Sequence, residues 1–160
     1  MNNETRNILL WSIFGFIFIS AVDGLILFST HLLFIAKMEL KVPFSIMQVS
    51  MSLTPLVLYL ITGVMVFTRI KRMKSLKELG FATVPKGLFI GLCLVAITLA
   101  PISYKISGLY SANLPTGDGT DYVGYVNTYG WMTASLNFSR WLVLISLSII
   151  CFTKLKEKEN

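Results

Sequence analysis

Three ionisable residues interrupt long apolar runs of this sequence: Asp23, Lys105 and Arg140. A lone charge in hydrocarbon costs at least about 2.5–3.5 kcal/mol, so each needs a partner, water or a shallow position. One acid and two bases on different segments could form an ion pair that holds the segments together, with the spare base reaching for the interface. They could instead form an anion site of net positive charge that accepts a lipid phosphate or a carboxylate, with neighbouring hydroxyl donors from Ser103, Tyr104 and Ser139. A third possibility is that the three residues never meet.

A second group of candidate contact residues lies in LPTGDGTDYVGYVNTYGW, residues 114–131, the long polar stretch of the chain. Tyr122, Tyr125 and Tyr129 are three and four residues apart, so a short helix would place them on one side. Together with Trp131 they could anchor the chain at head-group level. They could equally form a contact surface for a partner, because Tyr and Trp favour half-wet interfaces.

The residue clusters of known catalytic and metal sites are missing from the sequence. It has no HExxH, GxSxG or CxxC motif, and Cys93 and Cys151 fall inside apolar runs. Asp118 and Asp121 fall short of the six to eight oxygen ligands of calcium, so we interpret GDGTD as a turn. His31 has no ligand-spaced companion and is interpreted as a polar tip near the interface. We therefore predict no enzyme activity, no metal and no cofactor.

The elements that position these residues are membrane spans. The chain has 160 residues, of which 54% are hydrophobic and 14% charged. A helix needs about 20 apolar residues to cross about 30 Å of hydrocarbon. Four runs are long enough or nearly so: about 8–36, 44–68, 88–110 and 136–153. The sequence thus predicts an all-α integral membrane protein, a four-transmembrane-helix bundle with residues 1–160 as one domain. The first run is too long for a perpendicular span, so it must tilt, extend beyond the bilayer or break, and Asp23-Gly24 is its natural break point.

The distribution of Lys and Arg predicts the orientation. The connection 69–87 is strongly basic, whereas the loop 111–135, rich in aromatic residues and glycine, has no Lys or Arg. Both termini are therefore expected in the cytoplasm, in a bacterial-type cytoplasmic (inner) membrane. Counted from the inner ends of their spans, at about 20–25 Å, the three intramembrane charges all lie in the outer half of the bilayer at matching depth.

The inner connection is also amphipathic. Ile70, Met73, Leu76 and Leu79 recur every three residues before Gly80. The basic residues between them are expected to contact anionic lipid of the inner leaflet: Arg69, Lys71, Arg72, Lys74 and Lys77. The same charges could serve only to set the orientation.

SLKELGF at 75–81, followed by GLFIGLCLV at 87–95, resembles the connection between the second and third spans of the CAAX-protease and bacteriocin-immunity membrane family. The resemblance covers about twenty residues. That family's catalytic signature, adjacent glutamates followed by an arginine and later histidines, has no counterpart here. The resemblance therefore implies no activity for this chain.

These features predict a non-enzymatic accessory or assembly subunit of a larger membrane complex, which docks through its spans and its outer Tyr/Trp-rich loop. The alternative is a small carrier or a lipid- or anion-binding protein that uses the charge cluster. Expected partners are membrane lipids and other membrane subunits. Nucleic acid is not expected, because most basic residues flank hydrophobic segments rather than form an exposed groove.

Overall fold

The chain forms four long α-helices, described by a computed structural model for residues 3–72, 85–113 and 120–159. Side-chain surroundings are described for 9–10, 12–68, 85–113 and 122–149. The helices are α1 (Asn3–Glu39), α2 (Phe44–Arg72), α3 (Lys86–Ala112) and α4 (Thr120–Glu159). No strand occurs in these ranges. Each helix has a stretch long and apolar enough to cross a membrane: Ser12–Glu39, Phe44–Thr68, Lys86–Ala112 and Tyr122–Ile149. The prediction of an all-α chain with four such helices is confirmed.

Helix α1 runs without interruption through Asp23-Gly24, so of the three alternatives for the long first run a break at this point is excluded. One glycine costs a helix only about 1 kcal/mol, which the packing of this region offsets. A Cβ placed on Gly24 would lie 3.4 Å from the Cβ of Leu99, an ordinary van der Waals contact, so α1 and α3 lie close together at this level. With 37 residues, α1 is about 55 Å long and must tilt or extend beyond the hydrocarbon.

Helix α4 begins at Thr120, far before the predicted start of the fourth span at residue 136. The interpretation of residues 111–135 as a loop is therefore corrected for 120–135, which are helical, while 114–119 lie outside the described residues. Glycines and an asparagine in this stretch resemble loop composition. The helical signal lies instead in the buried positions, which recur every three or four residues: Tyr125, Thr128, Met132, Leu136 and Ser139.

A tight turn joins α1 to α2. The amide of Val42 donates to the carbonyl of Lys37 and that of Lys41 to the carbonyl of Met38, which is the Schellman pattern of helix ends. Lys41 occupies the left-handed position of this motif, with φ of 53°, where glycine is the usual residue. Pro43 then prevents continuation of α1.

The chain divides into two compact units, the first formed by residues 1–32 and 73–113. In this unit the first part of α1 packs on α3. Three contacts define the register: Phe14 with Phe89, Gly24 beside Leu99, and His31 with Ser103. Residue numbers rise together along both helices, so α1 and α3 are parallel.

The second unit consists of residues 33–72 and 114–160, in which α2 packs on α4. Its register is given by Phe44 beside Gly124, Ser52 bonded to Ser135, and Gly63 beside Val143. These helices are parallel as well. When a chain crosses a membrane four times in succession, its first and third spans run in one direction and its second and fourth in the opposite direction. The parallel pairing inside each unit thus agrees with four successive crossings.

The residues predicted to contact inner-leaflet lipid are only partly described. Arg69, Lys71 and Arg72 belong to the end of α2, whereas Lys74 and Lys77 lie outside the described residues. Lipid contact by these basic residues stays a prediction.

Candidate functional site

The first unit contains two of the three intramembrane charges. Asp23 is half-buried on α1 and Lys105 is exposed on α3. Because Gly24 lies beside Leu99, Asp23 is level with about residue 98, and Lys105 lies about 10 Å farther along α3. When depth is counted from the ends of the predicted spans, Asp23 and Lys105 lie at matching depth. The difference arises because that count takes residues 8 and 88, the predicted span starts, as level, whereas residue 14 packs on residue 89.

The third charge, Arg140, belongs to the second unit and is half-buried on α4. Its guanidinium carbon lies 5.6 Å from the ring centroid of Trp141, a cation–π contact. Because Gly63 lies beside Val143, Arg140 is level with about residue 60 of α2, and the middle of the predicted span 44–68 is residue 56. Asp23, level with about residue 98, is next to residue 99, the middle of the predicted span 88–110. Asp23 and Arg140 thus lie near the middle of the spans, whereas counting from the predicted span ends places them in the outer half. That the three charges form one site stays a prediction.

A buried polar contact that was not predicted from the sequence joins α1 and α3. His31 is 2% exposed, and its Nδ1 lies 2.5 Å from Oγ of Ser103, which is fully buried. The hydroxyl donates to Nδ1 in one imidazole tautomer and accepts from it in the other. The Tyr104 ring packs edge-on against the imidazole, with centroids 5.8 Å apart. The interpretation of His31 as an interfacial polar tip is therefore wrong.

Further hydroxyls extend this contact into a polar seam. Thr30 and Ser107 are also buried, and Thr30 donates to the carbonyl of Ile26 over 2.6 Å. A Ser–His hydrogen bond also occurs in nucleophilic catalysis, but here both side chains are shielded from any substrate. The seam instead joins two helices, as polar groups do inside membranes. The available signal was the four-residue spacing of Ser103 and Ser107 in an apolar run.

An aromatic cluster in the second unit holds the start of α4. The Phe34 ring packs edge-on against Tyr125 and Tyr129, with centroids 5.3 and 5.8 Å away. The two tyrosines stack at 5.9 Å. Of the four residues predicted as outer contacts, these two thus face inward, whereas Tyr122 and Trp131 are 59% and 57% exposed.

Two further contacts fix neighbouring helix ends. Lys37 Nζ donates to Ser50 Oγ over 2.6 Å, which ties the end of α1 to α2. A Cβ on Gly124 would lie 2.6 Å from Cδ2 of Phe44, so only glycine lets α4 lie this close to the ring at the start of α2.

Large side chains remain exposed at the starts of α2 and α4 and in the turn after α1. We name them the platform: Leu40, Ile46, Tyr122 and Val123. In the predicted orientation the platform lies at the outer face of the membrane.

The hydroxyls considered as anion donors have different surroundings. Ser103 is bonded to His31, Tyr104 is exposed, and Ser139 is buried with no hydrogen-bond partner for its Oγ among the described residues. The three hydroxyls therefore do not share one environment.

No protein-family model, curated protein or solved structure matches this chain significantly. Its function is therefore inferred from its own residues.

Proposed function

We propose that the protein is a non-enzymatic accessory subunit that docks onto a larger membrane complex through the platform. The observation that carries this proposal is the contrast within the first turns of α4. Tyr125 and Tyr129 are anchored on Phe34, while Tyr122 and Val123, nearer the start of α4, stay exposed.

A rigid aromatic and aliphatic surface is suited to docking, because little conformational freedom is lost when a partner covers it. Tyr122 combines an apolar ring with a hydroxyl, which suits the boundary between lipid and water. The competing interpretation is that the same side chains only anchor the helix ends at head-group level. Replacement of the platform side chains separates the two interpretations, because side chains that only anchor helix ends at head-group level contribute nothing to partner recovery.

The test is affinity purification from native membranes in mild detergent, quantified by mass spectrometry. The platform variant combines Ile46→Ala with Tyr122→Ala. The control combines Ile97→Ala with Leu109→Ala, which are exposed positions on α3. Wild type and control should recover the same set of larger membrane proteins, and the platform variant at least tenfold less. Recovery of no reproducible partner by the wild type, or equal loss in both variants, contradicts the proposal.

We also propose that both termini lie in the cytoplasm of a bacterial-type inner membrane. The support is the basic connection after α2 and the lack of Lys and Arg between α3 and the middle of α4. A reporter active only in the cytoplasm, fused to either terminus, should be active in both fusions. A reporter that is active at neither terminus would show that the orientation is the opposite of the proposed one.

The alternative, a small carrier or a lipid- or anion-binding protein, is favoured by one observation. Lys105 is exposed beyond residue 99, the midpoint of its candidate span, where a long side chain can extend to a head-group phosphate. In that case Lys105→Ala and Arg140→Ala abolish binding of anionic lipid but leave partner recovery intact.

A further inference from the structure

Helix α4 has a regular exposed face on the side away from α2. Its buried positions, Tyr125 to Ser139, lie on the side that contacts α2 through Ser135 and Val143. Small and polar residues recur on the opposite side, three or four residues apart: Asn127, Gly130, Ala134 and Asn137. We name these four residues the α4 stripe.

Asn137 is out of place on a lipid-facing surface. Because Ser135 is bonded to Ser52, Asn137 is level with about residue 54 of α2, near the middle of the predicted span 44–68. Head groups are about 15 Å away from that depth, beyond the reach of so short a side chain. Its amide is exposed and has no hydrogen-bond partner among the described residues. Unsatisfied polar groups are strongly unfavourable in hydrocarbon, so this amide requires a partner that the described residues of the chain do not supply.

The rest of the stripe allows another helix to come close. Gly130 and Ala134 are exposed, and a Cβ on Gly130 would meet nothing within 4 Å. Two small residues four apart let helix backbones approach in membranes. Asn137 follows Ala134 by three residues and so lies one turn along the same face.

We propose that the α4 stripe pairs with the α4 stripe of a second copy of this chain. Two copies inserted in one orientation have parallel α4 helices, so residue 137 of each lies at the same depth. A carboxamide is self-complementary, because its NH₂ donates and its C=O accepts. Across a two-fold axis along the membrane normal, each Asn137 amide can therefore donate to the other. This pairing is independent of docking through the platform, which uses other residues.

The test uses the purified full chain labelled at a terminal tag with donor or acceptor dye and reconstituted in lipid vesicles. Energy transfer is measured while the lipid-to-protein ratio is increased. Wild type should show transfer that falls on dilution. Asn137→Leu should raise the dissociation constant about tenfold, which corresponds to about 1.4 kcal/mol. Asn137→Gln, which keeps the amide, should restore most of the affinity.

A matched glycine pair tests the close approach. Gly130 and Gly108 are both exposed helical glycines with open space around them. Gly130→Leu should abolish energy transfer and Gly108→Leu should leave it unchanged, with helical circular dichroism equal in both. Three results each overturn the proposal: no dilution-dependent transfer in wild type, no effect of Asn137→Leu, or equal effects of the two leucine variants.

Discussion

Replacement of Gly63 by alanine tests the packing of α2 on α4. A Cβ at Gly63 would lie 2.9 Å from Cγ1 of Val143, about 0.6 Å inside the optimal separation of carbon atoms. Val143 is β-branched and has one strongly preferred rotamer in a helix, so it cannot turn aside. Overpacking of this kind costs about 1–3 kcal/mol. Alanine has a higher helix propensity than glycine, which offsets about 1 kcal/mol of this cost. We therefore expect Gly63→Ala to lower the free energy of unfolding by up to about 2 kcal/mol.

The control is Gly91→Ala on α3, where a Cβ would meet nothing within 4 Å. It should raise the free energy of unfolding by up to about 1 kcal/mol. Reversible unfolding in mixed micelles, followed by circular dichroism, measures both variants. Val143→Ala should relieve the clash, so that the double variant is more stable than the two single changes predict by about 1–3 kcal/mol. Equal stabilities of Gly63→Ala and Gly91→Ala would refute the reasoning.

Three further predictions concern the other contacts and use the same unfolding assay. A double-mutant cycle of His31→Ala and Ser103→Ala should give a coupling of about 0.6–1.7 kcal/mol, the range for polar pairs between membrane helices; additive changes would show that the bond contributes nothing. Lys41→Gly should raise stability by about 1 kcal/mol, because it removes a left-handed non-glycine residue; a loss of stability would contradict this. Phe34→Ala should lower the free energy of unfolding by about 3–5 kcal/mol, because the ring is fully buried against Tyr125. It should also reduce partner recovery. Intact stability would show that the aromatic cluster is not an anchor.

The helices themselves could be predicted from the sequence, because crossing hydrocarbon requires long apolar runs whatever their neighbours are. The start of α4 could not be found this way. Gly124, Asn127 and Gly130 are typical of loops, and their roles depend on what surrounds them. Gly124 meets the Phe44 ring, and the other two are exposed on the α4 stripe.

The candidate contacts were harder to predict because they depend on register between helices distant in sequence. Nothing local indicates that residue 31 lies level with residue 103, since the pairing is set partly by the close approach at Gly24. Phe34 is one of 11 phenylalanines and has no local mark that separates it from lipid-facing ones. The depth of a charged residue is counted from a helix end, and the sequence predicts that end only to within a few residues.

Docking through the platform is tested most directly by site-specific photocrosslinking in native membranes. A photoreactive phenylalanine analogue replaces Tyr122 in one variant and Ile97 of α3 in another, both exposed in the single chain. We predict a discrete protein adduct, larger than two copies of the chain, at position 122 and none at position 97. Lipid adducts alone at position 122, or the same protein adduct at both positions, would contradict the account.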